Sequence, residues 1–144
     1  MFDFKFNWDE NLNTDVDVID RQHKELFRIG RAVEQLLITN CYETDEKQLL
    51  SIVCELRDYV AYHFYEEERL MEIYQVSTIE DHRAQHNKYR DIIMNIDVRK
   101  LGDNPYTELK KIKECITELV FEHMIQVDKP MAVELKEKMK EPSV

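Results

Sequence analysis

Residues that interrupt helices are scarce here, with two Gly and three Pro in 144 residues. An all-β chain of this length would need many turns marked by Gly, Asn or Pro, so the shortage favours a few long helices. Cysteine is sparse too. Cys41, Cys54 and Cys115 are odd in number and form no C-x-x-C pair, which argues for free thiols over a disulfide framework or a thiolate metal site. Positive charge is in deficit. Against 30 Asp and Glu stand 20 Lys and Arg, for a formal net charge of −10. Such a surface repels phosphate backbones and anionic headgroups, so neither nucleic acid nor a membrane surface is expected as a partner. No run approaches the roughly 18 apolar residues of a membrane span. The opening MFDFKFNWDE carries acids where an export signal needs a basic start and an apolar run, so a cytoplasmic location is expected. What remains is 43% hydrophobic and 35% charged, suited to one folded domain over residues 1–144.

The periodicity is helical. In residues 1–15, Phe2, Phe4, Phe6 and Trp8 alternate with polar residues. With no second strand to pair it, this segment reads as an extended arm laying aromatics on the core. From about Asp17 apolar residues recur every three or four positions, through Leu26, Val33 and Leu37, which marks a helix face. A second helix is expected from about Asp45 to Tyr74, and a turn over Asn40 to Thr44. Ser77-x-x-Glu80 has the form of a capping box opening helix three. Leu101-Gly102-Asp103-Asn104-Pro105 breaks the pattern, with Asn104 as cap and Pro105 in the first turn of helix four. A short last helix is expected from about Pro130 to Lys140, and a frayed tail over 141–144. The expected fold is all-α. It is an antiparallel up-down-up-down four-helix bundle with an extended N-terminal arm and a short C-terminal helix.

All five histidines fall on the inward stripes of these helices, in order with two carboxylates. The pattern is His23, His63-x-x-x-Glu67, His82-x-x-x-His86, and His123-x-x-x-x-Asp128. That stripe holds about three-sevenths of helix positions, so chance is a poor explanation. Buried carboxylates with nothing to bind are also costly. Residues at i and i+4 share a face and can converge on one point. Asp128 is five residues from His123, about 140° away on an ideal helix. It can join the site only if the helix ends, kinks or carries a wide turn, and Pro130 disfavours a regular continuation. Seven ligands exceed the needs of one metal. With both carboxylates bridging, five imidazoles divide three to two over a pair, leaving one position open. Imidazole and carboxylate suit iron, zinc or copper. The segment His82-Arg83-Ala84-Gln85-His86 lacks the Glu of a zinc protease, and no Glu-x-x-His of the carboxylate-rich di-iron oxidases occurs. Because imidazoles must be neutral to bind, metal loss is expected below about pH 6.

Ile19-Asp20-Arg21-Gln22-His23-Lys24-Glu25-Leu26-Phe27, His63-Phe64-Tyr65-Glu66-Glu67, His82-x-x-x-His86 and His123-x-x-x-x-Asp128 together resemble the hemerythrin family, specifically the bacterial hemerythrins, over about residues 8–128. The resemblance implies two iron ions. One would be held by His82, His86 and His123 and the other by His23 and His63. Glu67, Asp128 and an oxo or hydroxo group would bridge them. It implies dioxygen binding end-on at the two-histidine iron as hydroperoxide, in carriage, storage, scavenging or sensing. An electron-donor protein is a further candidate partner, and the oligomeric state is left open. The alternatives are a di-iron oxidase or peroxidase on the same scaffold and an iron- or oxygen-responsive interaction module. Leu119 stands where many family members carry Trp, Gln85 where many carry Glu, and Gln75 where many carry Pro. Phe27, Phe64, Leu119, Val120 and Trp8 are candidate walls of an oxygen pocket. Asp20 and Gln22 are candidates to orient imidazoles.

Overall fold

The computed structural model describes residues 4–140; Phe2 and the 141–144 tail lie outside them. Every regular element among the described residues is helical. A single turn at Glu10–Leu12 precedes α1 (Asp17–Ile38), α2 (Glu46–Ile73), α3 (Ile79–Met94), α4 (Val98–Asp103) and α5 (Pro105–Glu118). A wide-turned segment, Leu119–Asp128, then leads directly into α6 (Lys129–Lys140). Short connections make chain neighbours antiparallel. α1 packs on α2, α2 on α3, α3 on the wide-turned segment, and α5 back on α1, closing the bundle.

Helices end here almost without glycine. Asn40 and Gln75 take left-handed φ values of 53°. Behind them Cys41 N–H bonds to the Leu36 carbonyl and Val76 N–H to the Met71 carbonyl, each at 2.8 Å. This is the helix-ending turn that glycine usually serves. Val76 is itself buried, so the exit of α2 is pinned by packing as well. At the start of α2, Asp45 and Gln48 exchange side-chain and backbone hydrogen bonds in a full capping box.

The arm packs as its alternation suggests. Phe6 is buried and meets Phe27 edge-on at 6.1 Å, and Trp8 meets Phe27 edge-on at 5.2 Å. Lys5 and Phe6 N–H groups donate to the buried carboxylate of Glu34, at 2.7 and 2.9 Å. Gly30 is what admits the ring, since a Cβ there would sit 2.8 Å from Phe6.

Three expectations need correction. Ser77 and Glu80 form no capping box. α3 starts after Thr78 without a side-chain cap, and Ser77 instead donates its N–H and hydroxyl to Glu134 of α6, at 2.8 and 2.7 Å. A carboxylate from a distant helix won over the local one. The breaker region contains a helical turn of its own, α4, capped by Asp97, and it buries Leu101. Asn104 gives no side-chain cap to α5, although Pro105 does sit in its first turn. The short last helix is present as α6, and Pro130 does not interrupt the run into it. Lys129 keeps helical dihedrals (φ −65°, ψ −48°), and the backbone runs helically from 105 to 140.

Candidate metal centre

Each of the seven side chains singled out by their order is buried, none more than 2% exposed. α1 supplies His23, α2 His63 and Glu67, and α3 His82 and His86, one turn apart. His123 and Asp128 come from the wide-turned segment. Its π-type pairing shifts the hydrogen-bond partner by one residue, which carries Asp128 round to the side of His123. Their facing atoms, His123 Nε2 and Asp128 Oδ1, are 3.0 Å apart. Of the three ways Asp128 could join, the wide turn is the one used.

The donor atoms fall into two overlapping groups. Glu67, His82, His86, His123 and Asp128 form one, and His23, His63, Glu67 and Asp128 the other, with atoms inside each group within 4.8 Å of one another. The carboxylates belong to both, one oxygen to each side. Glu67 turns Oε1 to His82 (2.6 Å) and Oε2 to His63 (3.1 Å). Asp128 turns Oδ1 to His82 (2.7 Å) and Oδ2 to His23 (3.0 Å).

Three imidazoles are oriented from behind. His63 Nδ1 donates to Gln22 Oε1 at 2.5 Å, His123 Nδ1 to Gln85 Oε1 at 2.8 Å, and His86 Nδ1 to Glu68 Oε2 at 2.8 Å. An amide or carboxylate oxygen only accepts, so each Nδ1 carries the proton and each Nε2, when neutral, offers a lone pair inward. The inward atoms then lack donors. His86 and His123 point Nε2 at each other across 3.2 Å. His63 Nε2 and Glu67 Oε2 are buried without a hydrogen-bond partner. Acceptors facing acceptors in a dry interior need cations between them, and this donor chemistry suits a transition metal.

Without metal, protons take part of that role. Burial disfavours a charged His82, yet hydrogen bonds to Asp128 and Glu67 outweigh it and raise its pKa to about 10. His86 is raised as well, with burial opposed by bonds to Glu67 and Glu68. Burial lowers His63. Burial also works against the charge on Glu67, but the facing imidazoles of His63, His82 and His86 hold it well below the usual carboxylate range. Asp128 is likewise lowered: burial and Glu67 are overcome by His123 and His23.

Aromatic rings enclose the set. Phe64 lies flat on His86 at 4.0 Å and Tyr59 stacks on His63 at 4.9 Å. A cleft of about 240 Å³ between α1 and α2, lined by Gln22, Tyr59 and Tyr62, reaches His63 from outside.

Residues 14–132 match the hemerythrin HHE cation binding domain. The chain belongs to the hemerythrin family. It is 21% identical over 124 residues to a bacteriohemerythrin of Clostridium acetobutylicum, covering 86% of this chain and 96% of that protein. It is 27% identical over 126 residues to a bacteriohemerythrin of Campylobacter jejuni, covering 86% and 90%.

For a hemerythrin-family chain, several supporting roles were hidden in the sequence. Gln22, a candidate to orient an imidazole, does so for His63 across the α1–α2 contact. Asp20 does not: its carboxylate accepts from Thr14 N–H and hydroxyl, both at 2.8 Å, and anchors the entry to α1. Glu68 and Gln85 were missed as orienting groups, because both adjoin a ligand-type residue in sequence and read as the polar side of a helix. Among the candidate wall residues, Phe64 touches histidine rings. Phe27, Leu119 and Val120 belong to the main core cluster, with Trp8 packed against it.

Proposed function

We propose that this chain is a non-haem di-iron protein that binds dioxygen, with residues 1–144 acting as one domain. His82, His86 and His123 hold one iron, His23 and His63 the other, and Glu67 and Asp128 span both. The observation that carries this reading is the pair of overlapping donor groups with one oxygen of each carboxylate facing each group. The iron pair, when bound, supplies the two electrons that reversible dioxygen binding requires.

The chain's own residues do the rest. Five neutral imidazoles against two carboxylates leave the centre with less ligand charge than a carboxylate-rich oxidase site, which favours holding dioxygen over oxidising a substrate. Gln22, Gln85 and Glu68 hold three imidazoles in the tautomer that presents Nε2 inward. Phe64 and the surrounding core exclude water from the three-histidine side. The cleft at Gln22, Tyr59 and His63 offers a small gas an approach to the two-histidine side. Dioxygen is the expected ligand, and an electron-donor protein that restores the ferrous state is the expected macromolecular partner.

The test is anaerobic reconstitution with ferrous iron, metal analysis, and absorption spectra through cycles of air and argon. About two irons per chain and a visible band that appears in air and fades under argon are expected. Zinc as the only metal taken up, with no spectral response to air after iron treatment, would overturn the proposal. Continuous consumption of reductant and oxygen would mark an enzyme instead.

A further inference from the structure

The groups behind the histidines are not equivalent. His63 and His123 donate to the neutral amides of Gln22 and Gln85. His23 Nδ1 and His82 Nδ1 are buried with no hydrogen-bond partner. Only His86 donates its Nδ1–H to a carboxylate, Glu68, at 2.8 Å. A hydrogen bond to an ionised acceptor is roughly twice as strong as a neutral one, and it raises the basicity of the opposite ring nitrogen. Glu68 is held on its outer side by Arg83 at 3.5 Å and Arg90 at 3.6 Å. Arg83 also meets Glu72 at 3.3 Å and Glu80 at 2.9 Å. Three carboxylates therefore face two guanidiniums, and the cluster keeps one negative charge. The Phe64 ring, parallel to His86 within 1°, fixes the imidazole plane from the other face.

We propose that Glu68 is a positioning residue that makes the three-histidine position the more easily oxidised of the two. It acts through His86 and touches no donor atom of the centre. The inference rests on the di-iron reading above. Electron density pushed toward His86 Nε2 stabilises the higher-valent ion at that position and leaves the two-histidine position, backed only by Gln22, ferrous for longer. The two ions then differ in potential, and oxidation of the pair separates into two one-electron steps.

The experiment uses the full chain loaded with iron, after metal analysis, in an anaerobic spectroelectrochemical titration. Glu68→Gln keeps the shape and an accepting oxygen but removes the charge. Glu72→Gln removes a similar charge from α2 at a residue bonded to no histidine. Glu68→Gln is expected to shift the first oxidation step about tenfold toward the reduced form, or about 59 mV upward for one electron. The second step should move less, and Glu72→Gln should leave both in place. A Glu68→Gln shift no larger than that of Glu72→Gln, or an equal shift of both steps, would overturn the proposal. Nitrogen-15 NMR of the zinc-loaded wild-type chain tests it without iron chemistry or a variant. The His86 Nδ1–H proton is expected farther downfield than that of His123, and the reverse order would also overturn it. A wild-type chain that takes up no iron defeats the di-iron reading itself. Two irons with unresponsive potentials defeat only the role of Glu68.

Discussion

At the residue scale, the carboxylates and the histidines are not interchangeable. His63 serves one donor group, whereas Glu67 serves both. His63→Ala is therefore expected to keep about one metal ion per chain and Glu67→Ala close to none, by metal analysis after dialysis against a weak chelator. Equal losses in the two variants would contradict shared bridging. The orienting amides matter less. Gln85→Leu removes the acceptor for His123 Nδ1 and should weaken metal binding about 10- to 100-fold. Competition with a chromogenic chelator measures this, and the folding transition of the metal-free chain should hardly move.

At the scale of elements, the arm and α1 meet at one tight contact. Alanine at Gly30 gains about 1 kcal/mol of helix propensity. Its Cβ would drive into the Phe6 ring, and ejecting a buried Phe forfeits about 1.5–3 kcal/mol. A net loss of about 0.5–2 kcal/mol is expected for Gly30→Ala in urea unfolding, with the arm becoming cleavable by protease. In a Phe6→Ala background the clash is gone, and the same substitution should stabilise by about 1 kcal/mol. A loss in both backgrounds would show that the Phe6 contact is not what selects glycine. The wide-turned segment illustrates how elements defeat local rules. Pro130 reads as a breaker, but the helix passes through it, and α6 continues to bury Met131, Ala132 and Leu135. The energy of that second core cluster, shared with Val16, Ile19, Met71 and Val76, outweighs the missing backbone donor.

For the whole molecule, protons and the proposed metal would compete for the same interior. The raised His82 pKa of about 10 contributes stability to the metal-free chain. That contribution is full below the ordinary histidine value of about 6.5 and is lost as pH rises through about 10. The lowered Glu67 and Asp128 contribute stability above the ordinary carboxylate range, which is lost as pH falls through their depressed values. The metal-free chain should therefore be most stable at mildly acidic pH and weaken toward pH 9. In the proposed centre a metal would need a neutral His82, so metal affinity should climb over that same interval with release of protons. Denaturation at pH 6 and pH 9, with and without metal, checks both halves. A metal-free chain that is equally stable at the two values would contradict the linkage.

Much of this was legible in one dimension. The shortage of Gly and Pro, the three-to-four-residue apolar rhythm and the i, i+4 spacing of His63 with Glu67 and of His82 with His86 are local facts, and local facts determine helices and helix faces. The same spacing made the inward aim of these residues readable before any contact was known. Long-range competition lay beyond it. Ser77 could pair with Glu80 nearby or Glu134 far away, and only the docking of α6 decided for Glu134. Asp128 could reach the site by three backbone routes, and the packing of two clusters on either side of it selected the wide turn. Glu68 is one residue from Glu67, yet one faces the buried centre and the other backs a histidine from outside. That division depends on where α3 lies against α2, which sequence spacing along a single helix does not encode.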